Sequence, residues 1–168
     1  GETDSPLVIR EHRFRHDRIQ QAAYRLIDPE QKQAVHLSIG RLLLANLSPK
    51  EREERIFEVT DHLNKGGTLF ETDAERIELA RLNLEAGTKA RNATAYTAAR
   101  IYLKTGAEYL PDTIWQTHYD LAITLHKAYA EAEYLSGNFD EAEKRIQQTV
   151  EQAATPVEKA EIYNLLIV

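Results

Sequence analysis

Cysteine and methionine are both missing from these 168 residues, and there is a single tryptophan. Without cysteine there can be no disulfide, no thiolate nucleophile and no sulfur-ligated metal. No apolar run approaches the ~18 residues that a membrane-spanning helix needs. The amino end, GETDSPLVI, is short and acidic, unlike a secretory leader, so a cytoplasmic location is expected. An excess of positive charge is also lacking. The formal net charge is −6 and the isoelectric point about 5.6, which speaks against a nucleic-acid surface. No GxGxxG or GxxxxGK[ST] element occurs, and Lys65-Gly66-Gly67-Thr68 reads as a helix end rather than a phosphate cradle.

What is present is enough apolar and charged residue to fold, 42% and 29%. Charge is uneven. Residues 1–65 balance at 11 basic and 11 acidic, and the whole deficit lies in residues 66–168. The apolar ending IYNLLIV, with no stop signal, reads as a helix of a longer protein that has been interrupted. The most informative stretch is Thr117 to Ala154, which reads as two helices joined at Gly137, where a left-handed residue ends the first. Asn138 and Glu141 suggest a capping box for the second, whose inward face would be Phe139, Ala142, Ile146 and Val150.

In chain order, Val8–Arg15 suggests a short strand, and His16 or Asp17 opens a helix to about Ile27. Asp28-Pro29 starts the next helix, with Val35, Leu37 and Leu42 among its inward residues; it runs to about Leu47. Ser48-Pro49-Lys50-Glu51 starts one that reaches Asn64, ended by Lys65-Gly66-Gly67. Thr72 to Glu75 starts another, to about Arg91; Asn92 caps its successor; Pro111-Asp112 caps a long helix; Thr155 to Glu158 starts the last. About eight helices with short turns between them place neighbours antiparallel.

Small, aromatic, small and aliphatic residues recur: from Gly87 to Ala130, Tyr96 to Phe139, Ala99 to Ala142 and Leu103 to Ile146, each step is 43 residues. Small residues let paired helices approach, and the aromatic would fill the groove to the next pair. The pattern resembles the tetratricopeptide repeat, with Gly106 and Pro111 at its later small and proline positions, but is longer than the usual ~34 residues. Gly40 suggests an earlier, poorer copy. The resemblance implies an all-α fold of antiparallel helical hairpins stacked as an α-solenoid over residues 29–168, with a plain helical bundle as the alternative.

Catalytic sets are hard to assemble. His12 and His16 have helical zinc spacing but no third ligand. His118 and His126 read as packed or surface residues of one long helix, and His36 and His62 as hydrogen-bonded core histidines. The paired carboxylates lie among basic residues on solvated faces, and no nucleophile–base set is evident. Aromatics gather in the carboxyl half. Tyr102, Trp115 and Tyr119 are candidates for a concave groove that grips a peptide or partner helix, or for filling between helices.

A longer resemblance rests on Phe14-Arg15-His16-Asp17-Arg18-Ile19-Gln20-Gln21-Ala22-Ala23-Tyr24, then HLSIGRLLL, DHLNKG and LARLNLEAGTKA. It resembles the region following the nucleotide-binding domain in STAND-class ATPases of bacterial multidomain proteins that join a serine/threonine kinase, a GAF sensor and a histidine kinase. The resemblance implies that residues 1–28 are the tail of a winged-helix domain, followed by a helical arm. It implies that His16 contacts nucleotide phosphate and Asp17 orients its turn, although Arg15 replaces the methionine of related ATPases; capping of a helix is the alternative. ATP and magnesium would belong to the parent protein and no cofactor to this stretch. The expected role is a non-catalytic scaffold that contacts a protein partner or other domains of its own chain, with no nucleic acid and no membrane. Binding of a small inducer in the concave face is the alternative.

Overall fold

The computed structural model describes residues 27–165. The expected strand, the first helix and the residues His16 and Asp17 lie outside them. Among the described residues there are helices and no strand. They are α1 (Pro29–Asn46), α2 (Pro49–Glu54), α3 (Ile56–Gly66), a 3-10 turn (Gly67–Leu69), α4 (Asp73–Asn92), α5 (Tyr96–Tyr109), α6 (Ile114–Thr117), α7 (Tyr119–Leu135), α8 (Phe139–Gln152) and α9 (Pro156–Asn164).

Local chemistry accounts for most starts. Asp28 caps α1 ahead of Pro29, and Thr72 caps α4 through the Glu75 amide. Reciprocal capping boxes open α2 at Ser48 and Glu51, and α9 at Thr155 and Glu158. Other starts differ from expectation. Asn92 is the last residue of α4 instead of the cap of α5, because the chain turns two residues later at Thr94, whose φ is 59°. Asn138 precedes α8 without capping it, since its side-chain amide turns back to Glu133 Oε2 at 2.7 Å. The stretch after Ser48 divides at Arg55, where φ −104° leaves helical geometry and lets Ile56 and Val59 turn fully inward. The stretch after Pro111 divides at His118, so Asp112 caps no long helix, and His118 and His126 share none.

Three antiparallel pairs dominate the packing: α1 with α3, α4 with α5, and α7 with α8. They join through α3 against α4 and α5 against α7, and α9 lies on α8. The second and third pairs repeat in detail at the 43-residue step. Both turns close in the same way: Ala95 N–H donates to Ala90 O and Thr94 N–H to Arg91 O; Asn138 N–H donates to Glu133 O and Gly137 N–H to Tyr134 O. The left-handed residue is Thr94 in one and Gly137 (φ 81°) in the other. Helices α5 and α8 have 14 residues each.

Contact within each pair is made through small residues. A Cβ built on Gly87 would lie 2.5 Å from Leu103 Cγ, and one on Gly40 would lie 2.5 Å from Leu63 Cδ2. Gly66 comes close to the backbone of Gln33, and Gly106 to that of Ala80, so the first two pairs carry the same two close approaches. In the third pair Ala130 takes the place of Gly87 and is buried with Ile146. The core therefore forms successive clusters along the chain: Leu37, Ile56, Leu63 and Leu79; then Ala90, Ala99, Leu103, Leu125 and Tyr129; then Ile123, Ala130, Ile146 and Ile162. Each fully buried aliphatic side chain contributes about 1.5–3 kcal/mol. Ala142 is buried and Tyr96 half-buried. Phe139, expected inside, is 58% exposed, because its ring lies edge-on to Tyr134 at the turn rather than in the seam. Val35 and Leu42 are also exposed, since α1 packs on α3 through its other face.

Candidate interaction groove

Helix α5 returns the chain between α4 and α7, so α4 and α7 run in the same direction. Arg91 near the end of α4 accordingly pairs with Glu131 near the end of α7. Between these helices lies a groove of about 370 Å³, lined by Leu84, Thr88 and Arg91 of α4 and by Ile123, Lys127 and Glu131 of α7, with Glu158 and Glu161 of α9 beyond. A separate hollow of about 400 Å³ lies toward the start of α4, lined by Ile77, Glu78 and Arg81 and by Thr117 of α6 and His118. Thr88 also borders a hollow of about 550 Å³ on the other side of α4, facing Pro49, Arg52 and Glu53.

Ion pairs tie these first helices together in one polarity. Arg41 of α1 meets Glu75 of α4, Arg91 of α4 meets Glu131 of α7, and Lys127 of α7 meets Glu161 of α9 at 3.2 Å. The cation stands on the earlier helix each time. The groove thus presents hydroxyls and apolar side chains beside two ion pairs, Arg91–Glu131 and Lys127–Glu161. Such a surface can bind a polypeptide.

The three aromatic candidates do not line one groove. Tyr102 stacks on Phe57 with ring centres 5.6 Å apart, and its hydroxyl donates to Asp61 at 2.7 Å. Burial and the Asp61 carboxylate hold that phenol well above its ordinary pKa. Trp115 stacks on His126 at 5.2 Å and touches Tyr119. The Tyr119 hydroxyl accepts from the Ala154 amide and donates to Glu158 at 3.0 Å, fastening α9 to α7. Largely buried His126 is held down to about 4 by desolvation, with Arg145 adding to the effect. His36 and His62 meet at 2.9 Å between Nδ1 atoms, joining α1 to α3, and burial followed by Lys65 lowers the pKa of His36.

The repeat residues Gly87, Ala99, Leu103, Ala130, Ala142 and Ile146 lie in the seams. The groove residues Thr88 and Lys127 were not singled out in the sequence, and Leu84 and Glu131 were read only as an inward apolar residue and a solvated carboxylate. Their only sign as a groove is a stripe at alternating three- and four-residue steps along α4: 77, 81, 84, 88 and 91. Among the described residues no group of three or more His, Cys, Asp or Glu could hold a metal ion, and no helix is long and apolar enough to cross a membrane.

No protein-family profile matches the chain, and no solved structure does. A known protein is similar to this chain over most of the chain's length. That relative is hybrid signal transduction histidine kinase G of Dictyostelium discoideum, 29% identical over 170 residues, which cover 87% of this chain. The chain spans about 5% of the relative's length. The relative is a Dictyostelium protein, so it lends no support to the expected bacterial origin.

Proposed function

We propose that this chain is a non-catalytic, tetratricopeptide-like arm of a larger signalling protein, working through protein contacts along the groove between α4 and α7. The single observation that carries this reading is the parallel pair of first helices joined by ion pairs over an open groove, in hairpins that repeat every 43 residues. Stacked hairpins touch mainly their neighbours, so an extended face stays available to a partner. The likeness to a stretch of a histidine kinase supports the signalling context. In this reading residues 29–168 form the arm and residues 1–28 end a winged-helix domain, in a cytoplasmic parent of the STAND ATPase–kinase kind. ATP and magnesium would serve the parent upstream, where His16 and Asp17 would meet the nucleotide.

A photo-crosslinking residue at Thr88 in the full-length protein tests the groove. The expected product joins position 88 to another domain of the chain or to a partner protein. The same residue at Gln147, on the exposed face of α8, should give none. Equal crosslinking at the two positions, or none at Thr88, overturns the reading.

A further inference from the structure

A second concavity lies away from the groove, between α5 and the turn that joins α7 to α8. It is an open cleft of about 600 Å³, a volume within the range of small-molecule sites. One wall is basic: Arg100 and Lys104 stand one turn apart on α5. The opposite wall is α8, with Asp140 and Glu141 in its first turn and Arg145, paired with Glu141, one turn on. The floor is Glu133, only 2% exposed.

Glu133 is fixed rather than free. Its Oε2 accepts from Asn138 Nδ2 at 2.7 Å, and Tyr129 donates to it as well. Arg100 Nη1 stands 3.9 Å from Glu133 Oε1, beyond hydrogen-bond length, so its N–H groups are not fully used there. Lys104 reaches Glu108 only at 3.8 Å on its own helix. Glu141 pairs with Arg145, also on α8, at 2.7 Å. Among the described residues no ion pair crosses from the basic wall to the acidic one. At the mouth, nothing lies within 4 Å of where a Cβ on Gly137 would stand, and exposed Phe139 forms an apolar lip.

The Arg100–Glu133 pair lies at the floor, and above it Lys104 and Asp140 face each other without an ion pair between them, an arrangement complementary to a ligand carrying both signs. We propose that it binds a small zwitterion of about dipeptide size, its carboxylate on Arg100 and Lys104 and its ammonium on Asp140. A purely anionic ligand would face the acidic wall, and a purely cationic one would face Arg100 and Lys104. Either would desolvate a charge without pairing it. The Phe139 lip suits an apolar side chain on such a ligand.

Titration calorimetry on the intact chain tests the proposal with three probes: leucyl-alanine, its N-acetyl form without the ammonium, and its amide form without the carboxylate. The free dipeptide should bind saturably with a Kd below about 1 mM, and each blocked form at least tenfold more weakly. Lys104→Ala and Asp140→Asn change exposed side chains, so circular dichroism should be unaltered while dipeptide affinity falls about tenfold in each. No saturable binding of the free dipeptide, or equal binding of the blocked forms, overturns the proposal. Loss of crosslinking at Thr88 would leave it untouched, so the two readings fail separately.

Discussion

Leu103 occupies the space that a side chain at position 87 would need. A Cβ there would lie 2.5 Å from its Cγ and 2.8 Å from its Cδ2, and Leu103 is itself fully buried. Gly87→Ala gains helix propensity of up to about 1 kcal/mol, yet overpacking costs about 1–3 kcal/mol, so a net loss of about 1 kcal/mol is expected. Chemical denaturation of Gly87→Ala, Leu103→Ala and the double variant provides the measurement. The double variant should be more stable than the sum of the single changes predicts, because the smaller Leu103→Ala side chain makes room for the new methyl.

The two matching turns allow a test of backbone strain. Thr94 holds φ at 59° with a β-branched side chain, a conformation that costs about 1–2 kcal/mol. Gly137 holds the corresponding place without that cost. Thr94→Gly should therefore raise stability by about 1 kcal/mol, and Gly137→Thr should lower it by a similar amount. Open space surrounds a Cβ at position 137, so the second change measures the backbone alone. Equal stability of Thr94→Gly and the parent protein in urea melts would contradict the account.

The same turns explain what could be read in advance. Starts at Asp28, Ser48, Thr72 and Thr155 were legible because a cap involves only the next three residues and leaves a local signature. Asn92 and Asn138 mislead for the same reason: both are good caps locally, but the hydrogen bonds that close each turn move the helix start past Asn92 and leave Asn138 facing Glu133. Gly87, Leu103 and Ala130 stand out because close approach restricts residue size. The groove was not legible. Whether Thr88 and Lys127 face each other depends on how one hairpin stacks on the next, and ordinary polar residues at those positions carry no mark of it. Tyr102, Trp115 and Tyr119 each have a partner that the sequence does not display: Phe57, His126 and the α9 start.

His126 makes the fold sensitive to acid. Its pKa in the folded chain is lowered to about 4, chiefly by burial, and the unfolded chain has the ordinary value of about 6.5. The unfolded state thus binds a proton first, and stability is complete above about pH 6.5 and falls as the pH drops toward 4. Between pH 7.5 and pH 5 the loss from this ring is about 2 kcal/mol. His36, also lowered, adds in the same direction. Urea midpoints of the parent protein and of His126→Phe across this range test the sign. The variant should lose less stability on acidification, and an identical slope would exclude His126 as a cause.

Asn64 and Asn83 exchange two amide hydrogen bonds across the seam between α3 and α4, at 2.9 and 2.8 Å. Asn83 also donates to Leu79 O and is completely buried. Each amide can satisfy the other only at one relative position of the two helices, so the pair fixes how the first hairpin seats on the second. Asn83→Leu removes one partner and leaves the Asn64 amide facing an apolar group, a loss of about 1–3 kcal/mol. Asn64→Leu combined with Asn83→Leu removes the unpaired groups and should recover much of that stability, while the fixed register is lost. Hydrogen exchange distinguishes these effects. The double variant should melt near the parent protein yet show faster exchange in α1 and α3, since the hydrophobic contact left in the seam holds the hairpins together without choosing one alignment.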